Sequence, residues 1–129
     1  MTTRNERLAN RSILVLEDDY YLATDLQQAL EACGATVIGP FGDETEAVRA
    51  LNAGRPDCAF VDVNLGAGPS FTAPRALLGS AVPFVFVTGY DAGTIPLEFV
   101  EVPRLEKPAG AKEIVEAAAR LLQLETLPG

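Results

Sequence analysis

Short runs of apolar residues alternate along this chain with longer stretches in which apolar residues recur every three or four positions. The first run, Ile13–Leu16, has the length and composition of a buried strand. The stretch after it repeats with helical spacing at four positions, which are Leu22, Leu26, Ala29 and Cys33. Gly34 marks the predicted end of this helix, because glycine readily adopts the left-handed conformation found there.

The same alternation continues to the C-terminus. The further predicted strands are Thr36–Ile38, Cys58–Val63, Phe84–Val87 and Arg104–Glu106. Between them, Asp43 and Glu46 predict a helix start that resembles a capping box, with its end at Gly54, and another helix is predicted around Pro74. The last helix carries Ile114, Ala118, Leu121 and Leu122 on one face. The stretch 89–103 contains Gly93, Pro96 and Pro103 and is predicted to hold at most a short helix.

Strand and helix therefore alternate five times with short connections. This order is typical of an α/β fold in which helices cover both faces of a five-stranded, doubly wound parallel sheet, that is, a (βα)5 arrangement. We expect one domain at residues 12–124, a flexible N-terminal segment at 1–11 and a C-terminal tail at 125–129.

Composition narrows the function classes. The net charge is -8 and the pI is about 4.4, so a nucleic-acid partner is not expected. No stretch approaches the ~20 apolar residues of a membrane helix, which predicts a cytoplasmic protein with no membrane contact. The absence of histidine excludes histidine-based catalysis and histidine-ligated zinc. The two cysteines, Cys33 and Cys58, lack metal-site spacing and are interpreted as buried thiols. We expect a monomer or weak dimer.

The polar residues of interest follow the predicted strands. Glu17 and Asp18 come directly after the first strand, and Asp62 falls at the end of the third. Thr88 follows the fourth strand and Lys107 the fifth. Because ligands of such sheets bind at the carboxyl ends of the strands, we expect these side chains to converge.

Three carboxylates in one pocket repel one another unless a cation binds between them. A hard divalent cation such as Mg²⁺ (or Mn²⁺) suits oxygen ligands and leaves positions for a phosphate group. A carboxylate there can attack phosphorus and form an aspartyl phosphate, with Lys107 and Thr88 holding phosphoryl oxygens. Asp19 is interpreted as a helix cap in preference to a metal ligand.

Four segments, ILVLEDD, PDCAFVDVN, VFVTG and LEKP, resemble the receiver domains of two-component response regulators over Ser12–Leu124. The resemblance implies a flavodoxin-like sheet of order 2-1-3-4-5. It also implies phosphorelay signalling, in which a histidine kinase or phosphotransfer protein donates the phosphoryl group and output occurs through protein contact. At 129 residues we expect a stand-alone receiver.

The same resemblance assigns roles to individual residues. Asp62 matches the phosphoacceptor, Thr88 the switch hydroxyl, and Lys107 the lysine that contacts the phosphoryl group. The implied metal ligands are Asp18, Asp62, Glu17 through water, and the backbone carbonyl of Asn64.

Several positions depart from the family pattern. Arg104 occupies the position that is usually aromatic, and Tyr90 lies two residues after Thr88. The stretch FVTGY is similar to the FAT GUY subgroup of receivers. These departures leave the phosphoryl chemistry intact but put the conventional Thr–Tyr output mechanism in doubt. Tyr90 and Arg104 are the switch candidates, with residues 89–104 as the segment expected to move.

Two alternatives stay open. An aspartate-nucleophile phosphatase of the haloacid dehalogenase type needs a second aspartate two residues after the first, where this chain has Asn64. A phosphorylation-independent pseudo-receiver, acting as a docking module, usually lacks the acidic pocket or the lysine, and both are present. No enzymatic activity is expected beyond the receiver's own phosphorylation and dephosphorylation.

Overall fold

A computed structural model describes residues 6–63, 70–89 and 95–123. Five parallel strands form one sheet in the order β2-β1-β3-β4-β5, which confirms the expected α/β topology. The strands are β1 (Ser12–Leu16), β2 (Thr36–Phe41), β3 (Cys58–Asp62), β4 (Phe84–Thr88) and β5 (Arg104–Glu106). The α-helices in the described residues are α1 (Tyr20–Ala32), α2 (Glu44–Ala53), α3 (Thr72–Gly79) and α4 (Ala111–Leu122).

Helices cover both faces of the sheet and create two apolar cores. One core joins the sheet to α1 and α4 and contains Leu26, Phe60 and Ile114. The other joins the opposite face to α2 and α3 and contains Leu51 and Leu77. Every residue of β3 and β4 is buried, as expected for central strands of a parallel sheet that is covered on both sides.

The connection between β4 and β5 differs from the other crossovers. Its described part holds a 3₁₀ turn at Leu97–Phe99, where a complete (βα)5 alternation would place an α-helix. Pro96 and Pro103 flank this turn, and proline cannot donate the backbone hydrogen bond that a continuing helix needs. The 3₁₀ turn agrees with the prediction of at most a short helix in this stretch.

Local side chains define the helix ends. Asp19 caps α1 by accepting a hydrogen bond from the Leu22 N–H at 3.0 Å, which confirms its interpretation as a cap. Asp43 caps α2 in the same way, through the Thr45 N–H at 2.7 Å. Gly34, just after α1, has a φ of +95°, and a Cβ there would lie 3.0 Å from the backbone Cα of Ala9. Glycine is therefore required at the predicted helix end.

The N-terminal turn is packed onto the domain. Leu8 is fully buried, and its N–H donates to the Cys33 carbonyl at 2.8 Å. Arg7 forms an ion pair with Glu116 of α4 at 2.8 Å. This packing differs from the expectation of a flexible segment up to residue 11, because the apolar side chain of Leu8 fills the core beside α1. Residues 1–5 and 124–129, including the predicted tail, lie outside the described residues.

Among the described helices, none combines the length and the apolar character that crossing a membrane requires.

Replacing Leu8 with alanine tests the packing of the N-terminal turn. Because Leu8 is fully buried, Leu8→Ala should lower the free energy of unfolding by about 2–4 kcal/mol in urea titrations. Leu97→Ala serves as the control, because that side chain is 85% exposed and its removal should change stability by less than about 0.5 kcal/mol. Equal effects of the two substitutions would show that Leu8 is not part of the core.

Candidate functional site

Three carboxylates meet at the carboxyl ends of β1 and β3. Glu17 and Asp18 follow β1, Asp62 ends β3, and the two strands are direct neighbours in the sheet. One oxygen from each carboxylate lies within 4.8 Å of the others. Glu17 and Asp62 are each 2% exposed, whereas Asp18 faces solvent. The predicted convergence of the three acids is therefore present, with two buried members and one at the mouth.

The Glu17 carboxylate is held in a fixed orientation. Its Oε2 accepts a hydrogen bond from the Asp19 N–H at 3.0 Å. Its Oε1 is buried and receives no hydrogen bond from the described residues. A buried carboxylate oxygen without a donor is costly, so this atom is suited to a cation or to a water bound to one.

Lys107 reaches the acids from β5. Its Nζ lies 3.3 Å from Asp62 Oδ2 and 3.5 Å from Glu17 Oε1. The Lys107 N–H donates to the Thr88 carbonyl at 2.8 Å, which fixes the backbone from which the side chain extends. The lysine side chain is 27% exposed, so it reaches the pocket from the surface.

Burial and charge shift the proton affinities of these groups. Burial raises the pKa of Glu17 to about 8, opposed by the Asp19 N–H and reinforced by the negative charge of Asp62. Burial lowers the pKa of Lys107, but the carboxylates of Glu17 and Asp62 outweigh it, and the net shift is upward. Lys107 stays positive at neutral pH and compensates part of the negative charge of the cluster, and the carboxylate oxygens are ligands that fit a divalent cation.

Thr88 ends β4 beside the acids. The residue before it, Val87, is the register partner of Asp62, and Thr88 itself is 6% exposed. Side chains alternate along a strand, so Thr88 shares its face of the sheet with Phe86. The structure thus brings Glu17, Asp18, Asp62 and Lys107 into contact range and places Thr88 on the neighbouring strand end. Asn64 and Tyr90 lie outside the described residues.

Arg104 begins β5, where it is exposed and opposite Phe86. One acid that could pair with it in a second state, Glu98, is bound here by Arg75 at 2.9 Å. Phe99 in the 3₁₀ turn packs on this face of the sheet beside Phe86. Its ring centroid lies 5.5 Å from that of Phe86.

Sequence reasoning missed two contacts near the site. Phe99 also stacks on Phe71 with ring centroids 5.5 Å apart, which joins the β4–β5 connection to the start of α3. Glu44, the first residue of α2, contacts both Ser70 and Ala73 beyond the Asp62 loop. Phe71 and Phe99 lie in segments without apolar periodicity, so their contact could not be predicted from the sequence. Glu44 could not be singled out either, because acidic residues are common at helix starts.

The chain is similar to several proteins of known structure. SdrG from Sphingomonas melonis Fr1, known from a solution structure, is 32% identical with a TM-score of 0.77 over 90% of this chain and 98% of SdrG. The signal receiver domain of a modulated diguanylate cyclase from Desulfovibrio desulfuricans G20 is 29% identical, with a TM-score of 0.71 over 88% of this chain and 94% of that domain. This chain belongs to the response regulator receiver family.

The phyllosphere-induced regulator PhyR of Methylorubrum extorquens is 32% identical to this receiver over 113 residues, which is 82% of the receiver. The receiver spans 42% of the length of PhyR. No family model matches the sequence. The departures at Arg104 and in the β4–β5 connection therefore occur within a recognisable receiver.

The raised pKa of Glu17 predicts a pH-dependent stability in EDTA. Between 4.5 and about 8 the folded protein holds a proton on Glu17 that the unfolded chain has released, so stability falls as pH rises through this range. Glu17→Gln should remove this loss, and its advantage over the native protein in urea should grow from pH 5 to pH 8. The exposed Glu101→Gln is the matched control. A pH-independent difference between Glu17→Gln and the native protein would contradict the assigned burial of charge.

Proposed function

We propose that this receiver accepts a phosphoryl group on Asp62 in a two-component or phosphorelay system, with Mg²⁺ (or Mn²⁺) bound beside it. The observation that carries the proposal is the contact between Lys107 and Asp62 at 3.3 Å, inside a cluster of three carboxylates. The Lys107 side chain is 27% exposed, so its ammonium group lies at the mouth of the pocket above the buried Asp62 carboxylate. Its charge is suited to an incoming phosphoryl oxygen.

The proposed metal ligands are Asp18, Asp62, Glu17 through water, and the backbone carbonyl of Asn64. The cation would shield the negative charge of the phosphoryl donor and of the carboxylate that attacks it. Glu17 and Asp18 approach from β1 while Asp62 approaches from β3, so the cation would be held between two strand ends.

In the proposed reaction, an oxygen of Asp62 forms a bond to phosphorus as the phosphorus–nitrogen bond of a phosphohistidine breaks. The bonding electron pair leaves with the imidazole nitrogen, which then takes up a proton from solvent. Lys107 contacts one phosphoryl oxygen, and the Thr88 hydroxyl donates to another. Burial of Asp62 at 2% exposure limits access of water to the acyl phosphate.

The donor is proposed to be a histidine kinase or a phosphotransfer protein in the cytoplasm, and the output to be contact with another protein. A solution structure of SdrG in a BeF3-activated conformation is also known, and this receiver is 33% identical to it. This relative supports the same chemistry at Asp62, because beryllofluoride stands in for a phosphoryl group.

The pseudo-receiver alternative predicts the same fold without phosphorylation. The retained contacts of Lys107 with both Glu17 and Asp62 favour the phosphoacceptor function, since docking alone would not require them. The phosphatase alternative requires a general acid two residues after Asp62, and the residue there is Asn64. Labelling with a small phosphodonor separates the three functions. A phosphoacceptor is labelled stably, a pseudo-receiver is not labelled, and a phosphatase turns the donor over continuously.

Acetyl phosphate should phosphorylate the native protein, and Asp62→Asn should abolish the phosphorylated species seen by intact-protein mass spectrometry. The amide keeps the shape of the carboxylate but lacks its nucleophilic oxygen. EDTA should also prevent labelling, because the cation shields the attacking and incoming charges. Asp25→Asn, an exposed change on α1, should label normally. Labelling of Asp62→Asn at the native level would overturn the proposal.

We propose further that the β4–β5 connection is the switch, with Tyr90 and Arg104 as candidate moving side chains. Phe99 is fully buried in this connection and packs on Phe86, two residues before Thr88 on the same face. A Thr88 hydroxyl drawn toward a phosphoryl oxygen would change the packing above Phe86. Coupling between two such sites is commonly worth about 1–3 kcal/mol.

Hydrogen exchange with and without beryllofluoride tests the switch. Residues 89–104 should show the largest change in protection, because they follow Thr88 directly and their described part has a single 3₁₀ turn. Unchanged exchange in β2, at the opposite edge of the sheet, provides the internal control. A response confined to the loop after Asp62 would exclude residues 89–104 as the switch.

A further inference from the structure

The start of α2 makes a polar contact with the segment that follows the Asp62 loop. Glu44 Oε2 accepts a hydrogen bond from the Ala73 N–H at 2.8 Å, and Glu44 Oε1 accepts one from the Ser70 hydroxyl. Glu44 is half-buried, while its neighbour Glu46, two residues further along α2, is exposed. One carboxylate thus binds two points on the far side of the proposed phosphoacceptor loop.

The same end of α2 is fixed to the acids that follow β1. The Glu17 N–H donates to the Phe41 carbonyl at 2.8 Å. Gly42, the next residue, lies so close that a Cβ on it would be 3.6 Å from Asp18 Cα. Glu44 therefore extends from a backbone segment whose position is tied to Glu17 and Asp18.

The other end of the contact leads to Asp62. The Ser70 N–H donates to the Val63 carbonyl at 3.4 Å, which closes the loop between these two residues. Val63 is 1% exposed and follows Asp62 directly, so it is anchored in the core. A shift of Ser70 is therefore transmitted to the backbone beside the phosphoacceptor.

We infer that Glu44 is a positioning residue that holds the segment after Asp62 in place relative to the acids that follow β1. The β1 side supplies Glu17 and Asp18, the β3 side supplies Asp62, and Glu44 joins the two sides outside the sheet. The inference rests on the proposed function, because the positions that it fixes are those of the proposed metal ligands.

Capping of α3 alone does not account for the contact. Phe71, at the cap position of α3, provides no side-chain hydrogen bond, and the hydrogen bond that the Ala73 N–H donates to Glu44 substitutes for it. The hydrogen bond that the Ser70 hydroxyl donates to Glu44 lies before the helix and does not cap it. Ser70→Ala therefore separates the two roles: it removes the link to the loop and leaves the bond to Ala73.

The experiment compares Glu44→Ala, Glu44→Gln, Ser70→Ala and the control Glu46→Ala in the full chain. Mg²⁺ affinity is measured by calorimetry, and the rate of phosphorylation is measured with acetyl phosphate as donor. The hydrogen exchange of residues 63–70 is measured in EDTA. Glu44→Ala and Ser70→Ala should each weaken Mg²⁺ binding and slow phosphorylation by about tenfold, the usual effect of losing a hydrogen bond to a charged group. A double variant that combines Glu44→Ala with Ser70→Ala should bind Mg²⁺ as well as Glu44→Ala does, because both changes break the same link.

Glu44→Gln keeps an acceptor oxygen without the charge and should recover most of the affinity lost in Glu44→Ala. Glu46→Ala removes a nearby charge from the same helix and should bind Mg²⁺ within about twofold of the native protein. Normal Mg²⁺ affinity and phosphorylation in both Glu44→Ala and Ser70→Ala would overturn the inference. The inference would also be overturned if Glu44→Gln bound Mg²⁺ as weakly as Glu44→Ala while Ser70→Ala bound it normally. The charge of Glu44 alone would then be responsible.

The proposed function and this inference fail separately. If the native protein is not labelled by acetyl phosphate, the proposed function is wrong, and hydrogen exchange in EDTA still decides the role of Glu44. Faster exchange of residues 63–70 in Glu44→Ala and Ser70→Ala, but not in Glu46→Ala, would support positioning of the loop. Equal exchange in all four variants would overturn it.

Discussion

Repulsion among Glu17, Asp18 and Asp62 is the constraint on which the rest of the site depends. Two of the three carboxylates are buried, and the pKa of Glu17 is raised to about 8 by burial first and by the charge of Asp62 as well. Lys107 supplies one compensating charge at 3.3 and 3.5 Å. The domain therefore carries an excess of negative charge at the carboxyl ends of β1 and β3, which a bound cation would stabilise.

The fold tolerates this charge because the apolar part of the sheet is separate from it. Every residue of β3 and β4 is buried, and the polar residues begin where these strands end. The two apolar cores lie on opposite faces of the sheet. Burial of apolar surface contributes about 25 cal/mol for each square ångström removed from water, so the cores offset a local electrostatic cost.

Much of this arrangement was predictable because it follows from position along the chain. The strands and helices were visible in the apolar periodicity, and the acids, Thr88 and Lys107 each follow a predicted strand. The packing of Leu8, the insertion of Phe99 and the contacts of Glu44 were not predictable. Each depends on a partner distant in sequence, such as Cys33 for Leu8 and Ser70 for Glu44, and neither apolar periodicity nor residue type identifies such partners.

The stacking of Phe71 on Phe99 has a further consequence. Phe71 follows Ser70, so the segment that closes the Asp62 loop also touches the β4–β5 connection through an aromatic ring. Thermodynamic linkage is reciprocal, so a protein that favours one packing of Phe99 would also alter the free energy of the proposed phosphorylated state at Asp62. Under the proposed function, a downstream target that binds this turn would then change the stability of the phosphorylated state to which it responds.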